Sequence, residues 1–419
     1  MKLFKRPIAI SLAPNMERDD GLLAFKTLFL FWKWKGGKNI KSLENWFAVR
    51  FKKYSVYSFN SGRSAMYTIL KSFGIGIGDE VLVQAFTCIA AIAPILWLGA
   101  KPVFVDIDKN FNIDYKKLEQ KINSKTKAVI VQHTFGFPAN IEKIKKIARR
   151  HKLFFLEDCA HVLGAKYKKS YLGSFADAAF FSFGRDKILS SVFGGVALIK
   201  SSLMKKNRKM QKIYRSLSFP DNFWIFQQLF HLVSFTIILP FYQTLNIGKL
   251  LLVIFQKMKL LSFPILQEEY GGKKPAIFPK KYPNALAVLL LNQMRKLSAF
   301  SAKRQLIVQI YDEKFDRFGA FYDKNKLLLR YPFLSDRAEE ICRAGKKRGF
   351  LLGRWYANIV DPKGVSLNNV GYVSGSCPAA ENISKRIINL PTYPTLKKNE
   401  AEMIADFVKE YENRSSGNK

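Results

Sequence analysis

A carboxylate and an amine stand at the ends of two consecutive apolar runs in this chain. Leu156-Glu157-Asp158 closes the first, and Ser182-Phe183-Gly184-Arg185-Asp186-Lys187 follows the second, with Gly194-Gly195 shortly beyond. Residues 152–156 and 178–183 read as buried strands, and in open α/β sheets chemistry gathers beyond the carboxyl ends of such strands. Asp158 and Lys187 follow those ends. An acid and a primary amine so placed suit a pyridoxal phosphate (PLP) site: the lysine holds and exchanges the aldehyde, and the ionised acid keeps the pyridine nitrogen protonated. Lys187 would also carry the proton between substrate and cofactor carbons.

Such a site further needs anchors for the phosphate. Phe59-Asn60-Ser61-Gly62-Arg63-Ser64-Ala65 opens a segment in which Ala65, Met66, Ile69, Leu70 and Phe73 recur at helical spacing. The N-terminus of that helix offers free backbone N–H groups and a favourable dipole to an anion. The expected cradle is built on Gly62, with side-chain contacts from Arg63 and Ser64, and Ser182 closing it from the neighbouring strand. Alone, this segment would be read as an ordinary Ser/Asn helix cap; its company with Asp158 and Lys187 favours the cradle. Gly74-Ile75-Gly76-Ile77-Gly78 resembles a nucleotide loop but follows a helix and precedes a strand, the reverse of the dinucleotide order. It reads as a helix C-cap and turn.

The elements that must position these residues alternate regularly. Strands are expected at Glu80–Ala85, Pro102–Asp106, Ala128–His133, Lys152–Leu156, Ala178–Phe183 and Gly195–Lys200, with helices such as Arg63–Phe73 and Ile141–Lys152 between several of them. This rhythm predicts an α/β fold with a mostly parallel sheet between helices, plus a smaller C-terminal α+β domain. The expected organisation is a basic aromatic segment over 1–55, a large PLP-binding domain over 56–200, a basic and hydrophobic helical insertion over 201–275, and a small domain over 276–419.

Composition narrows the classes. A 419-residue chain with 48% hydrophobic residues buries a core and is not disordered. Its four cysteines and four histidines show no metal-ligand spacing, so no metal is assigned and a reducing compartment is expected. The net charge of +37 comes without a nucleic-acid-binding motif. No nucleic acid partner is expected, and the excess is left to a solvated lysine surface or an anionic membrane. Met1–Pro7 lacks the apolar core of a secretory signal, so a cytoplasmic location is expected, with peripheral contact at the inner face of the membrane as the variant.

The site motifs resemble the DegT/DnrJ/EryC1/StrS family of PLP-dependent sugar aminotransferases, of aspartate-aminotransferase fold type I. The resemblance rests on Asn60-Ser61-Gly62-Arg63-Ser64-Ala65, Gly78-Asp79-Glu80-Val81, Gly99-Ala100-Lys101-Pro102, Gly136-Phe137-Pro138-Ala139, Glu157-Asp158-Cys159-Ala160-His161, Gly173-Ser174-Phe175, Ser182-Phe183 and Gly194-Gly195. It implies that Lys187 carries the cofactor, Asp158 meets the ring nitrogen, His161 lies beside the ring and Ser182 binds phosphate. It also implies a homodimer with the active site at its interface, and amino transfer from an amino acid, glutamate above all, to a keto group of a nucleotide-linked sugar for surface polysaccharide or glycoconjugate synthesis. Arg185 and Arg354 are the basic candidates for substrate diphosphate or carboxylate.

Two positions depart from the family pattern. Phe86-Thr87 is followed by Cys88 where the family places an aromatic residue on the ring face, so either the thiol packs there or another side chain stacks. The Asn-x-Arg that reaches the partner's phosphate is replaced by Pro279-Lys280-Lys281-Tyr282-Pro283-Asn284, leaving Lys280, Lys281 and Asn284 as substitutes. Sugar dehydratases among the relatives carry histidine in place of the lysine, so Lys187 weighs against that alternative. A catalytically silent, membrane-associated relative is the non-enzyme alternative.

The insertion has its own composition. Phe223–Leu239 is apolar but short of the roughly 20 residues a spanning helix needs, and Ile247–Leu261 sets Lys249, Lys257 and Lys259 among aliphatic residues. Together with the N-terminal run Phe25, Leu28, Phe29, Phe31, Trp32 and Trp34, it suits either an element lying in an anionic membrane interface or a hairpin covering the domain or a dimer interface.

Overall fold

A computed structural model describes residues 7–315 and 326–413 of the chain. Its centre is a seven-stranded sheet: β1 (Tyr54–Phe59), β2 (Glu80–Gln84), β3 (Lys101–Val105), β4 (Thr126–Gln132), β5 (Phe154–Asp158), β6 (Ala178–Ser182) and β7 (Gly195–Lys200), in the order β1-β7-β6-β5-β4-β2-β3. Only β7 runs antiparallel to its neighbours. The middle strands read as continuous apolar runs because both of their faces are covered. Val129, Val131, Phe155 and Leu198 pack into one core cluster; Ala128, Ile130, Leu156 and Phe180 pack into the other.

Pairing register assembles the site. Asp158 lies opposite Phe180 on β6 and Gln132 on β4, Ser182 opposite Gly195, and Gly195 opposite Phe59. The carboxyl ends of β1, β5 and β6 therefore open on the same edge. Sequence reasoning placed the fifth strand at 152–156, but it begins at Phe154. Lys152, at φ +52°, turns the chain out of the helix Ile141–Arg150, and Asp158 is the last residue of the strand, not a residue beyond it. The strand β1, Tyr-Ser-Val-Tyr-Ser-Phe, was missed because its alternation is diluted by serines and it follows a basic, aromatic stretch.

Three helices frame the amino-terminal half: α1 (Arg18–Leu28), α2 (Lys38–Arg50) and α3 (Gly62–Phe73). The helix α3 starts at the Ser61 cap, whose hydroxyl accepts from the Ser64 amide, and ends at Gly74, whose φ of +89° makes the left-handed turn expected of the glycine run. Further along, α4 (Asn222–Ile238) buries Ile225, Leu229, Leu232 and Phe235 against α1 and the large core, while α5 (Ile247–Lys257) returns along it. The part of the insertion that forms α4 is thus a covering helix. Among the described residues, no helix is long and apolar enough to cross a membrane.

The C-terminal part pairs Arg330–Leu334 with Ile387–Pro391 and covers them with Ala338–Lys347 and Lys398–Asn413. Two short pairings tie it back to the amino-terminal part: Ile8–Ala9 with Phe350–Leu351, and Thr87–Cys88 with Val360–Asp361. A close backbone approach lies at the site edge, where a Cβ on Gly195 would sit 2.5 Å from the Gly62 nitrogen and the Ser61 carbonyl. Gly195→Ala is therefore expected to cost about 1–3 kcal/mol of unfolding free energy by overpacking, measured by urea denaturation.

Candidate active site

The sheet edge opens into a cavity of about 430 Å³ lined by Gly62, Cys88, Asp158, His161, Ser182 and Lys187, among others. Chain segments far apart in sequence converge on it.

The amine is held without a partner. Among the described residues Lys187 Nζ makes no hydrogen bond or ion pair, and it lies 5.1 Å from the centroid of the Trp355 ring. Burial pushes its pKa below the usual lysine value, against the charges of Asp186 and Asp158, which makes the neutral, nucleophilic form easier to reach. The loop is fixed from beneath by Asn15, whose side-chain amide donates to the carbonyls of Lys187 (2.6 Å) and Ile188 (3.1 Å) and whose oxygen accepts from Arg304 (2.7 Å). Next to it, Asp186 pairs with Arg330 at 2.7 Å, and that guanidinium lies 3.1 Å over the Trp355 ring.

Asp158 is buried, and one carboxylate oxygen accepts from the Ala160 amide at 2.9 Å. Burial raises its pKa, opposed by that amide and by the Lys187 charge. Its other oxygen makes no protein hydrogen bond among the described residues, which leaves room for a ligand N–H. His161 accepts from the Phe135 amide on Nδ1 (3.2 Å), so the ring proton sits on Nε2, which lies 3.5 Å from the Tyr356 hydroxyl. The imidazole lies parallel to the rings of Phe135 and Trp355, and burial holds its pKa well below the histidine range. It is neutral at pH 7.

The cradle is partly as expected in position and partly diverted in chemistry. Among the described residues the amides of Gly62 and Arg63 begin the helix without backbone acceptors, and a Cβ on Gly62 would lie 3.0 Å from Ser182 Cβ. Ser182 Oγ makes no hydrogen bond among the described residues. Ser64 is fully buried; its hydroxyl donates to Asn60 (2.6 Å) and accepts from Ser61 (3.0 Å), so it shapes the loop. Arg63 lines the cavity, but its guanidinium grips the buried Glu269 and the Pro264 carbonyl (2.9 Å) and lies over Phe278. Its charge is already balanced. Cys88 lines the wall as a neutral thiol, pushed up to about 11 by burial. Aromatic surface near the amine comes from Trp355 and Tyr356.

Of the remaining candidates, all but Arg185 fall outside the cavity lining. Lys280 donates to Ser218 and Lys281 to the Arg215 carbonyl, while Asn284 bonds Asn39 and the Lys33 carbonyl. Arg354 is bound to the carbonyls of Ser384 and Lys385, whereas Arg185 lines the cavity and donates to Ser262. His133, Glu157 and Cys159 lie within 4.8 Å of one another. Glu157, however, accepts from the amides of Gly173, Phe175 and Ala176 at 2.8–2.9 Å, so it closes a turn. Sequence reasoning missed Asn15, Glu269, Trp355, Tyr356 and Asp361. None sits in a motif with the lysine; only the Trp-Tyr pair following Arg354 offered a signal.

A profile of the DegT/DnrJ/EryC1/StrS aminotransferase family matches residues 26–223 and 263–409. The chain belongs to this family. GDP-perosamine synthase of Escherichia coli O157:H7 is 37% identical over 168 residues, which are 40% of this chain and 46% of that protein, so this match spans about half the relative's length. A pleiotropic regulatory protein of Geobacillus stearothermophilus is 26% identical over 379 residues, 90% of each chain. Among solved structures, Helicobacter pylori PseC, an aminotransferase involved in the biosynthesis of pseudoaminic acid, matches with a TM-score of 0.74 at 21% identity, covering 98% of this chain and 99% of that one. The fold is fold type I. The unmatched residues 224–262 hold most of α4 and all of α5.

Asp361, on the cavity wall, has its pKa raised from 3.8 to about 6 by burial, against hydrogen bonds from Asn358 and Ala357. A raised folded pKa favours the folded state below the unfolded value, and that contribution is lost as pH rises through about 6. Relative to Asp361→Asn, the wild type is expected to lose roughly 2–3 kcal/mol between about pH 4 and pH 7, measured by urea unfolding at both ends.

Proposed function

We propose that the protein is a PLP-dependent aminotransferase that takes an amino group from an amino acid, glutamate in this reading, and passes it to a keto group of a nucleotide-linked sugar. One observation carries it: a desolvated, partnerless amine on Lys187 shares a cavity with the free oxygen of Asp158. The donor set fits PLP. An amine, a carboxylate oxygen, the Ser182 hydroxyl and the open amides of α3 answer an aldehyde, a pyridine nitrogen and a phosphate. Bound PLP would supply the electron sink for a carbanion at the amino-bearing carbon.

Around it the chain's own residues divide the work. Lys187 holds the cofactor and, once displaced by the amino acid, takes and returns the proton at the substrate carbon. Asp158 keeps a proton on the ring nitrogen. His161, neutral and fixed by the Phe135 amide, borders the ring without adding charge. Gly62 and Ser182 receive the phosphate, and Arg63 reinforces the cradle through Glu269. Two substrates that would use this one cavity in turn predict ping-pong kinetics.

Family membership supports this reading, as do the names of relatives such as the spore coat polysaccharide biosynthesis protein SpsC of Bacillus subtilis, 39% identical over 184 residues. They favour a role in surface polysaccharide or glycoconjugate synthesis. The family also supports a homodimer, and the free thiols of all four cysteines suit a cytoplasmic setting. Lys187 separates this reading from a dehydratase, and its free amine separates it from a silent scaffold. Lys187→Ala is expected to abolish both the visible absorbance of lysine-bound PLP and amino transfer, by more than a thousandfold on the order expected for losing a nucleophile and base. Normal turnover of this variant in a coupled glutamate assay would refute the assignment.

A further inference from the structure

On α1, the turn that follows it and α5, apolar side chains stand exposed among the described residues. Leu22 and Phe25 on α1 and Phe29 just beyond its end form a stripe at helical spacing. The chain then continues through Leu30, Phe31 and Trp32, so that four consecutive apolar residues face outward, with Phe29, Phe31 and Trp32 62–64% exposed. On α5, Ile247, Leu250, Val253 and Ile254 form a second exposed stripe, extended by Leu245 and Met258.

Two glycines bring these stripes to one end of α4. A Cβ on Gly21 of α1 would sit 2.5 Å from Thr236 Cγ2, and one on Gly248 of α5 would sit 2.3 Å from the Ile238 carbonyl. Between these two contacts lies Ile237, itself exposed. The stripes of α1 and α5 thus flank the same end of α4, a clustering beyond the singly scattered apolar residues normal on a soluble surface.

Charge identifies the occupant. Residues 21–43 contain no Asp or Glu but include Lys26, Lys33, Lys35, Lys38 and Lys41; residues 222–267 contain none either and include Lys249, Lys257 and Lys259. All eight ammonium groups belong to exposed residues. A second copy docked by twofold symmetry would set lysine against lysine. An anionic bilayer supplies the opposite charge, with about 1 kcal/mol per lysine near the surface, while aromatic side chains such as Phe31 and Trp32 suit the depth just below the headgroups. Long lysine stems reach back to the headgroups while their neighbours enter.

We propose that α1, the Phe29–Trp32 turn and α5 form one face that lies in the interface of an anionic lipid bilayer without crossing it. The test is sedimentation of the full chain with vesicles of phosphatidylcholine alone or with phosphatidylglycerol added, at low and high salt. Two surface variants, Phe29→Ser/Trp32→Ser and Leu250→Ser/Ile254→Ser, are measured beside the wild type. Neither pair touches the cavity, so folding and amino transfer serve as controls expected to stay unchanged. The wild type is expected to bind the anionic vesicles on the order of 100-fold more tightly than neutral ones, and each variant to lose about tenfold or more. Light scattering of the free proteins is expected to give one common mass. Equal or absent binding to both vesicle types overturns the proposal. So does a fall in oligomeric mass in the variants with vesicle binding intact, which would assign the face to a second copy.

Discussion

Two ionisable groups, the partly buried Lys187 amine and the buried Asp158 carboxylate, are held largely without protein partners in one cavity, and most of the surrounding structure serves that constraint. Desolvation pushes each toward its neutral form, the lysine down and the aspartate up. A fold that left them free to move would let them turn toward water or toward each other. The parallel pairing of β4, β5 and β6 fixes the Asp158 backbone, and Asn15 and the Asp186–Arg330–Trp355 stack fix the Lys187 loop. The neighbouring Glu157 points to the opposite face of the strand and is fully satisfied by three backbone amides and His133. Adjacent carboxylates thus have opposite fates: one closes a turn, and the other is held open for a ligand.

The parts of this site that could be read from the sequence are those in which one local run carries the information. Successive apolar strands ending in Asp158 and leading to Lys187, and a Ser-Gly start to an amphipathic helix, are local patterns, and the structure places them at one sheet edge. What escaped is the chemistry set by long-range contacts. Arg63 reads as a phosphate ligand until Glu269, more than two hundred positions later, occupies its guanidinium. Ser64 reads as a cradle hydroxyl until Asn60 and Ser61 claim it. Asn15, Trp355 and Tyr356 carry no spacing relation to the lysine, because they arrive from the N-terminal segment and the C-terminal part. The strand β1 was hidden for a different reason, since its serines blur the apolar alternation.

The insertion joins the same account. Its helix α4 was open to two readings from composition, and packing against α1 and the core makes it a cover. Beyond α5 the chain continues through Ser262 to Tyr270, where Arg185 and Arg63 bind it and Phe263, Pro264, Ile265 and Tyr270 wall the cavity. Glu269 is thus the point at which a segment peculiar in composition is fastened to the cradle. Residues 224–262, left out of the family match, separate the two matched parts, yet the contacts on either side keep the cavity continuous.

If the partnerless groups are a PLP site, the ligand that satisfies them must stabilise the fold in proportion to its occupancy. The direct measurement is urea unfolding of the protein stripped of cofactor, titrated with PLP and followed by absorbance in the visible range. The account predicts saturable stabilisation, approaching about 3 kcal/mol at a hundredfold excess over the dissociation constant, with a visible band that grows over the same concentration range. A stability curve that PLP leaves unmoved at millimolar concentration, with no visible band, would contradict it.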